Sequence, residues 1–156
     1  MKNPSRASPY TNEVSVQASA NVGIFIMTVN DPMANVFSNI MNCEKIGKNQ
    51  VLVKPSSKLI KKVLTLLQEK RYIGAYDEIK DGRGDILNIA LIGAINICGV
   101  IKPHYSVKLN NYTKYEKRYL PANGFGILVV STPKGVMTHE QAKEQKLGGR
   151  LLAYCY

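Results

Sequence analysis

Along this chain the apolar residues change period, and that change constrains the fold more than any other feature. Met33, Val36, Phe37, Ile40 and Met41 recur at helical spacing, as do Leu59, Ile60, Val63, Leu64 and Leu67. Elsewhere the apolar runs have strand length, over residues 50–54, 72–79, 86–92, 95–101, 126–130 and 151–156. The mixture predicts an α+β fold: an α-β-α-β-β unit over residues 29–97, then a mainly β unit over 98–156 with one short helix.

Local signals punctuate these segments. Asp31 is suited to cap a helix that opens on Pro32, and Gly47 to end it. Pro55-Ser56-Ser57 reads as a turn and cap before the second helix. Asp81-Gly82-Arg83-Gly84-Asp85 reads as the turn between two strands. In the second half Pro103 interrupts an apolar run, and residues 105–119 mix tyrosine and lysine without a clear period. Ser131-Thr132-Pro133-Lys134-Gly135 is expected to be a turn or loop. Thr138-x-x-Gln141 is a capping-box signature for a short helix, and Gly148-Gly149 turns the chain into a last strand. Residues 1–28 are expected to form a flexible extension, with Met27 an alternative first residue.

Charge narrows the partners. The net charge is +10, and residues 101–156 carry nine Lys or Arg against three Glu. Such a surplus attracts polyanions. No apolar run reaches the roughly 18 residues of a transmembrane helix, and the cluster 22–27 is too short for a signal peptide, so no membrane partner is expected. Cys43, Cys98 and Cys155 are an odd number, widely spaced in apolar stretches, and His104 and His139 are isolated. Neither a disulfide framework nor a metal site is expected, and no cofactor; free thiols fit a reducing cytoplasm. The sequon Asn111-Tyr112-Thr113 is read as a chance match.

The loop 131–135 carries the most chemistry, because hydroxyls, a lysine and a glycine follow a buried strand. Hydroxyls bond to phosphate, ribose or base edges, glycine permits close approach, and lysine supplies charge. An ordinary Ser/Thr/Gly turn is the plain alternative. Ser131-x-x-Lys134 also has the spacing of a serine–lysine catalytic pair, but that pair needs a helix, and Pro133 and Gly135 oppose one. No phosphate-loop string occurs. Asp77, Glu78, Asp81 and Asp85 cluster near a hairpin turn, and His139 is expected to be exposed at a helix start, so no catalytic residue is assigned. Arg83-Gly84-Asp85 is read as turn chemistry. Tyr105, Tyr112, Tyr115 and Tyr119 alternate with Lys108, Lys114, Lys117 and Arg118; either they stack on bases or they cover the core.

Several stretches resemble one family. Asp31-Pro32-Met33-Ala34-Asn35, Lys54-Pro55-Ser56-Ser57-Lys58-Leu59, Tyr72-Ile73-Gly74 and Asp81-Gly82-Arg83 occur in order. They are followed by the contiguous stretch 126–139 and by Gly148-Gly149-Arg150. Over residues 29–156 the chain is similar to ribosomal protein S8 of the archaeal and eukaryotic type. The resemblance implies two small α/β domains and a structural, non-enzymatic role. It also implies early, primary binding to the central domain of small-subunit ribosomal RNA, helping to assemble the subunit platform. Its S-T-x-x-G loop, carried over, designates Ser131, Thr132, Lys134 and Gly135 as RNA contacts, with Gly148 and Gly149 in the nearby turn. Pro133 stands where many bacterial members have a second serine, which removes one hydroxyl. Lys54, Ser56, Ser57 and Lys58 are expected to form a secondary contact, and Lys102 and Lys108 to add charge. The expected partners are that RNA and neighbouring small-subunit proteins, around a monomer in the cytoplasmic ribosome. A small enzyme acting through Ser131 and Lys134, or a regulator working off the ribosome, are the rival readings.

Overall fold

The computed structural model describes residues 31–80, 82 and 84–156. The expected extension 1–28, and residues Asp81 and Arg83 of the expected turn, lie outside the described residues.

Helix α1, Pro32–Ile46, starts where the sequence predicts. The Asp31 carboxylate accepts from the Met33 and Ala34 N–H groups at 3.0 and 3.3 Å, satisfying donors that a first turn leaves unpaired. Gly47 ends the helix in the left-handed region at φ +76°, its N–H turned back to the Cys43 and Glu44 carbonyls. Strand β1, Gln50–Val53, leads to α2, Lys58–Glu69, which is capped by the Ser57 hydroxyl accepting from Ile60 N–H at 3.2 Å. β2 (Ile73–Ile79) and β3 (Ile86–Leu91) complete an antiparallel sheet of order β1-β3-β2. Leu87, Ile89 and Leu91 alternate inward along β3, the period-two pattern of a strand buried on one face.

The second sheet is built from β4 (Cys98–Val100), β5 (Ser106–Val107), β6 (Ile127–Thr132), β7 (Gly135–Thr138) and β8 (Gly149–Cys155). Its order is β4-β8-β6-β7, with β5 also pairing to β8, all antiparallel. Residues 127–130 are all buried because both faces of β6 are covered. One face, with Ile127 and Val129, joins α1, α2 and the first sheet in a shared core. The other, with Leu128 and Val130, lies under α3 (Tyr112–Tyr119) and α4 (His139–Glu144).

The α+β class stands, with three local corrections. The second half holds two helices rather than one: residues 112–119 coil into α3 after a single 3-10 turn, Leu109–Asn111. The expected loop 131–135 is mostly strand, since β6 runs through Thr132 and β7 begins at Gly135. Within 95–101 only Cys98–Val100 is strand. The capping box forms as expected, with Thr138 Oγ1 accepting from Gln141 N–H and the Gln141 side chain accepting from Thr138 N–H.

Candidate nucleic-acid interface

Pro133 and Lys134 alone connect β6 to β7. Proline holds φ negative, so the mirror-image turns that usually close two-residue hairpins are barred. The positive φ falls instead on Gly135, at +134°, where only glycine is unstrained. Thr132 Oγ1 donates to the Gly135 carbonyl at 2.9 Å and closes the turn from inside, with Thr132 itself buried. Lys134 is exposed at the tip, and its ammonium has no ion-pair partner among the described residues.

Strand register sets the neighbours of Ser131. Ser106 pairs with Arg150 across β5 and β8, and Arg150 pairs with Ser131 across β8 and β6, so the three side chains form one row on one face. Ser131 is half-buried, Ser106 and Arg150 are exposed, and the Ser131 hydroxyl has no hydrogen-bond partner among the described residues. The two glycines before Arg150 let β8 enter this row. A Cβ on Gly149 would stand 2.3 Å from the Ser131 carbonyl oxygen, and one on Gly148 would stand 2.7 Å from that of Val107.

An open cleft of about 600 Å³ results, lined in part by Ser106, Lys108, Ser131, Thr132, Lys146, Gly148, Gly149 and Arg150. Among the described residues no carboxylate lines it, so its cations are not neutralised from within. The structure thus brings together five residues singled out from sequence: Ser131, Thr132, Gly148, Gly149 and Lys108. Lys134 and Gly135 sit beside the cleft, in the turn and at the start of β7. Ser106, Lys146 and Arg150 were missed. Counting alternation back from the last strand could have found Arg150; a two-residue strand such as β5 leaves no signal for Ser106.

The remaining candidates lie elsewhere. Ser57 caps α2, Ser56 N–H donates to the Gly84 and Asp85 carbonyls, and Lys58 is exposed on the first turn of α2. Lys54 is half-buried before them. Lys102 Nζ lies 2.8 Å from Asp31 Oδ2, so this lysine already faces a carboxylate.

Other chemistry is displaced by packing. His139 is not exposed as expected but buried at 3%. Its Nδ1 accepts from Leu128 N–H at 3.1 Å, its Nε2 lies 3.5 Å from Glu116 Oε1, and Lys143 pairs with the same carboxylate. Burial holds the imidazole below its ordinary value, against the pull of Glu116. Burial likewise pushes the Cys98 thiol up to about 12 and raises that of Cys155, which is the wrong direction for a nucleophile. Ser131 lies in β6 and Lys134 in the hairpin turn, not on one helical turn, so the helix that the catalytic pair requires is absent there. Among the described residues no helix is long and apolar enough to cross a membrane. Residues 31–156 match the family model described as ribosomal protein S8.

Proposed function

Since the chain belongs to the ribosomal protein S8 family, and so is a structural, RNA-binding protein of the small ribosomal subunit, we propose that it grips the central domain of that RNA through the cleft beside the β6–β7 hairpin. The observation that carries this reading is the Ser106–Arg150–Ser131 row, in a cleft that among the described residues holds cations and no carboxylate. Ser131 offers a free hydroxyl to a base edge or a 2′-OH, Arg150 a planar fork to phosphate, and Lys134, Lys108 and Lys146 point charges along the strand. Gly135, Gly148 and Gly149 act by shaping backbone, and Thr132 by closing the turn. Lys54, Ser56, Ser57 and Lys58 would supply a secondary contact and Lys102 a peripheral one, giving an early-binding monomer that helps to build the platform beside other small-subunit proteins in the cytoplasm.

Filter binding to a transcript of the central domain tests the assignment. Ser131→Ala should weaken binding by about 1–3 kcal/mol, the range for one specific contact. Thr132→Val should lower stability more than affinity, because its hydroxyl already serves Gly135. Lys134→Gln should reduce the slope of log affinity against log salt by about one, the mark of one lost phosphate contact. Wild-type affinity in Ser131→Ala, together with a wild-type slope in Lys134→Gln, would falsify the hairpin as the contact.

A further inference from the structure

Helix α3 sorts its side chains into stripes four residues apart. Tyr112 and Glu116 are buried, Tyr115 and Tyr119 are half-buried against the second core, and Lys114 and Arg118 are exposed. The guanidinium carbon of Arg118 lies 5.7 Å from the ring centre of Tyr105 and 5.5 Å from that of Tyr119. Tyr105 meets Tyr115 at 5.5 Å, and Tyr119 stacks on Tyr154 at 5.4 Å. The result is a continuous belt, Tyr115–Tyr105–Arg118–Tyr119–Tyr154, with a cation set into its middle.

Two features separate this arginine from an ordinary surface charge. Two rings hold it, so little rotamer freedom is left to lose when it binds. It also has no carboxylate partner among the described residues. Glu116, on the same helix, is turned inward to Lys143 and His139. A planar fork fixed in place with its charge uncompensated matches the bidentate geometry of a phosphate. The belt packs on the face of the second sheet that carries Leu128 and Val130, whereas Ser131 lies on the face of Ile127 and Val129. None of the five belt residues lines the cleft, so the belt is a separate patch.

We propose that Arg118, held between Tyr105 and Tyr119 with Lys114 beside it, is a second ribosomal RNA contact that grips backbone phosphate at a position distinct from the hairpin cleft. The inference rests on the RNA-binding reading above.

The test uses the full chain and a transcript of the whole small-subunit RNA, titrated over a salt series by filter binding. Arg118→Gln should bind roughly tenfold more weakly at low salt, with a slope reduced by about one. Arg118→Lys should retain the slope while losing part of the affinity, since it keeps the charge and loses the fork. The double variant Arg118→Gln, Lys134→Gln should lose about two units of slope, and ultraviolet crosslinks from a peptide containing Tyr119 should map to nucleotides other than those reached from Ser131. Thermal melting of each variant separates lost contact from lost fold. Arg118→Gln with wild-type affinity and slope, while Lys134→Gln still flattens the titration, overturns the second contact and leaves the hairpin reading intact. The reverse pattern keeps the belt and removes the hairpin. A wild-type chain that ignores the transcript sinks both.

Discussion

His139 binds the stability of the fold to proton concentration through a single ring nitrogen. Its Nδ1 accepts the N–H of Leu128 inside β6, so that nitrogen carries no proton in the neutral side chain, and Nε2–H is directed toward Glu116. Protonation must place a second hydrogen on Nδ1, against the donor of a buried strand. The imidazole is accordingly held below 6.5, first by burial. The unfolded chain then binds more protons than the folded one between the folded value and 6.5, and stability rises with pH across that window. Acidification from about pH 7 to about pH 5 should lower the melting temperature, and His139→Gln should flatten the dependence, because an uncharged amide cannot take up the proton. Parallel melting curves against pH for the two proteins would remove His139 from the effect. The residue was misread from sequence because the first position of a helix usually faces solvent; here β6 lies directly beneath it.

Elements were legible where their buried side chains are conventionally apolar and their ends chemically marked. Both helices of the first half meet those conditions, with Asp31 and Ser57 as caps and Gly47 as a stop. α3 failed the first condition, since its innermost stripe is Tyr112 and Glu116, and a buried carboxylate looks like surface until Lys143 and His139 are seen against it. The hairpin failed the second, since Ser131-Thr132-Pro133-Lys134-Gly135 has loop composition while Ser131, Thr132 and Gly135 are paired strand. The row that makes the cleft depends on β8 sliding between β5 and β6, which composition does not encode. Gly149→Ala tests that dependence. The added methyl would meet the Ser131 carbonyl at 2.3 Å and Val130 Cγ1 at 2.9 Å, and backbone paired on both sides has nowhere to move. A loss of about 1–3 kcal/mol, at the level of an overpacked core, should appear as a lower urea midpoint. Affinity for RNA should fall with it, because Arg150 and Ser131 are displaced together. An unchanged midpoint would mean that β8 is not wedged as described.

At the scale of the whole molecule the two sheets share more than they divide. We propose residues 29–97 and 98–156 as two domains, and the packing dictates how such domains must behave. The larger core joins Val36, Phe37 and Ile40 of α1, Leu87 and Ile89 of β3, and Ile127, Val129, Leu152 and Cys155 of the second sheet. Ion pairs cross at its margins, Lys70 with Glu140 at 3.0 Å and Lys102 with Asp31 at 2.8 Å. Exposed pairs of this kind contribute at most about 1 kcal/mol, so the join rests on apolar burial. Neither sheet can lose its partner without exposing its own interior, and the chain should unfold in one transition. Phe37→Ala and Leu152→Ala, one on each side, should each cost on the order of 3 kcal/mol and lower one common midpoint, followed equally by far-ultraviolet circular dichroism and by near-ultraviolet tyrosine signals. Tyr105, Tyr115, Tyr119 and Tyr154 contribute to that signal from the second core, whereas Phe37 lies in the larger one. Two separated transitions, with Phe37→Ala moving only the first, would mean that the sheets fold independently. The two RNA contacts proposed for the second sheet would then lack the rigid frame that fixes their spacing.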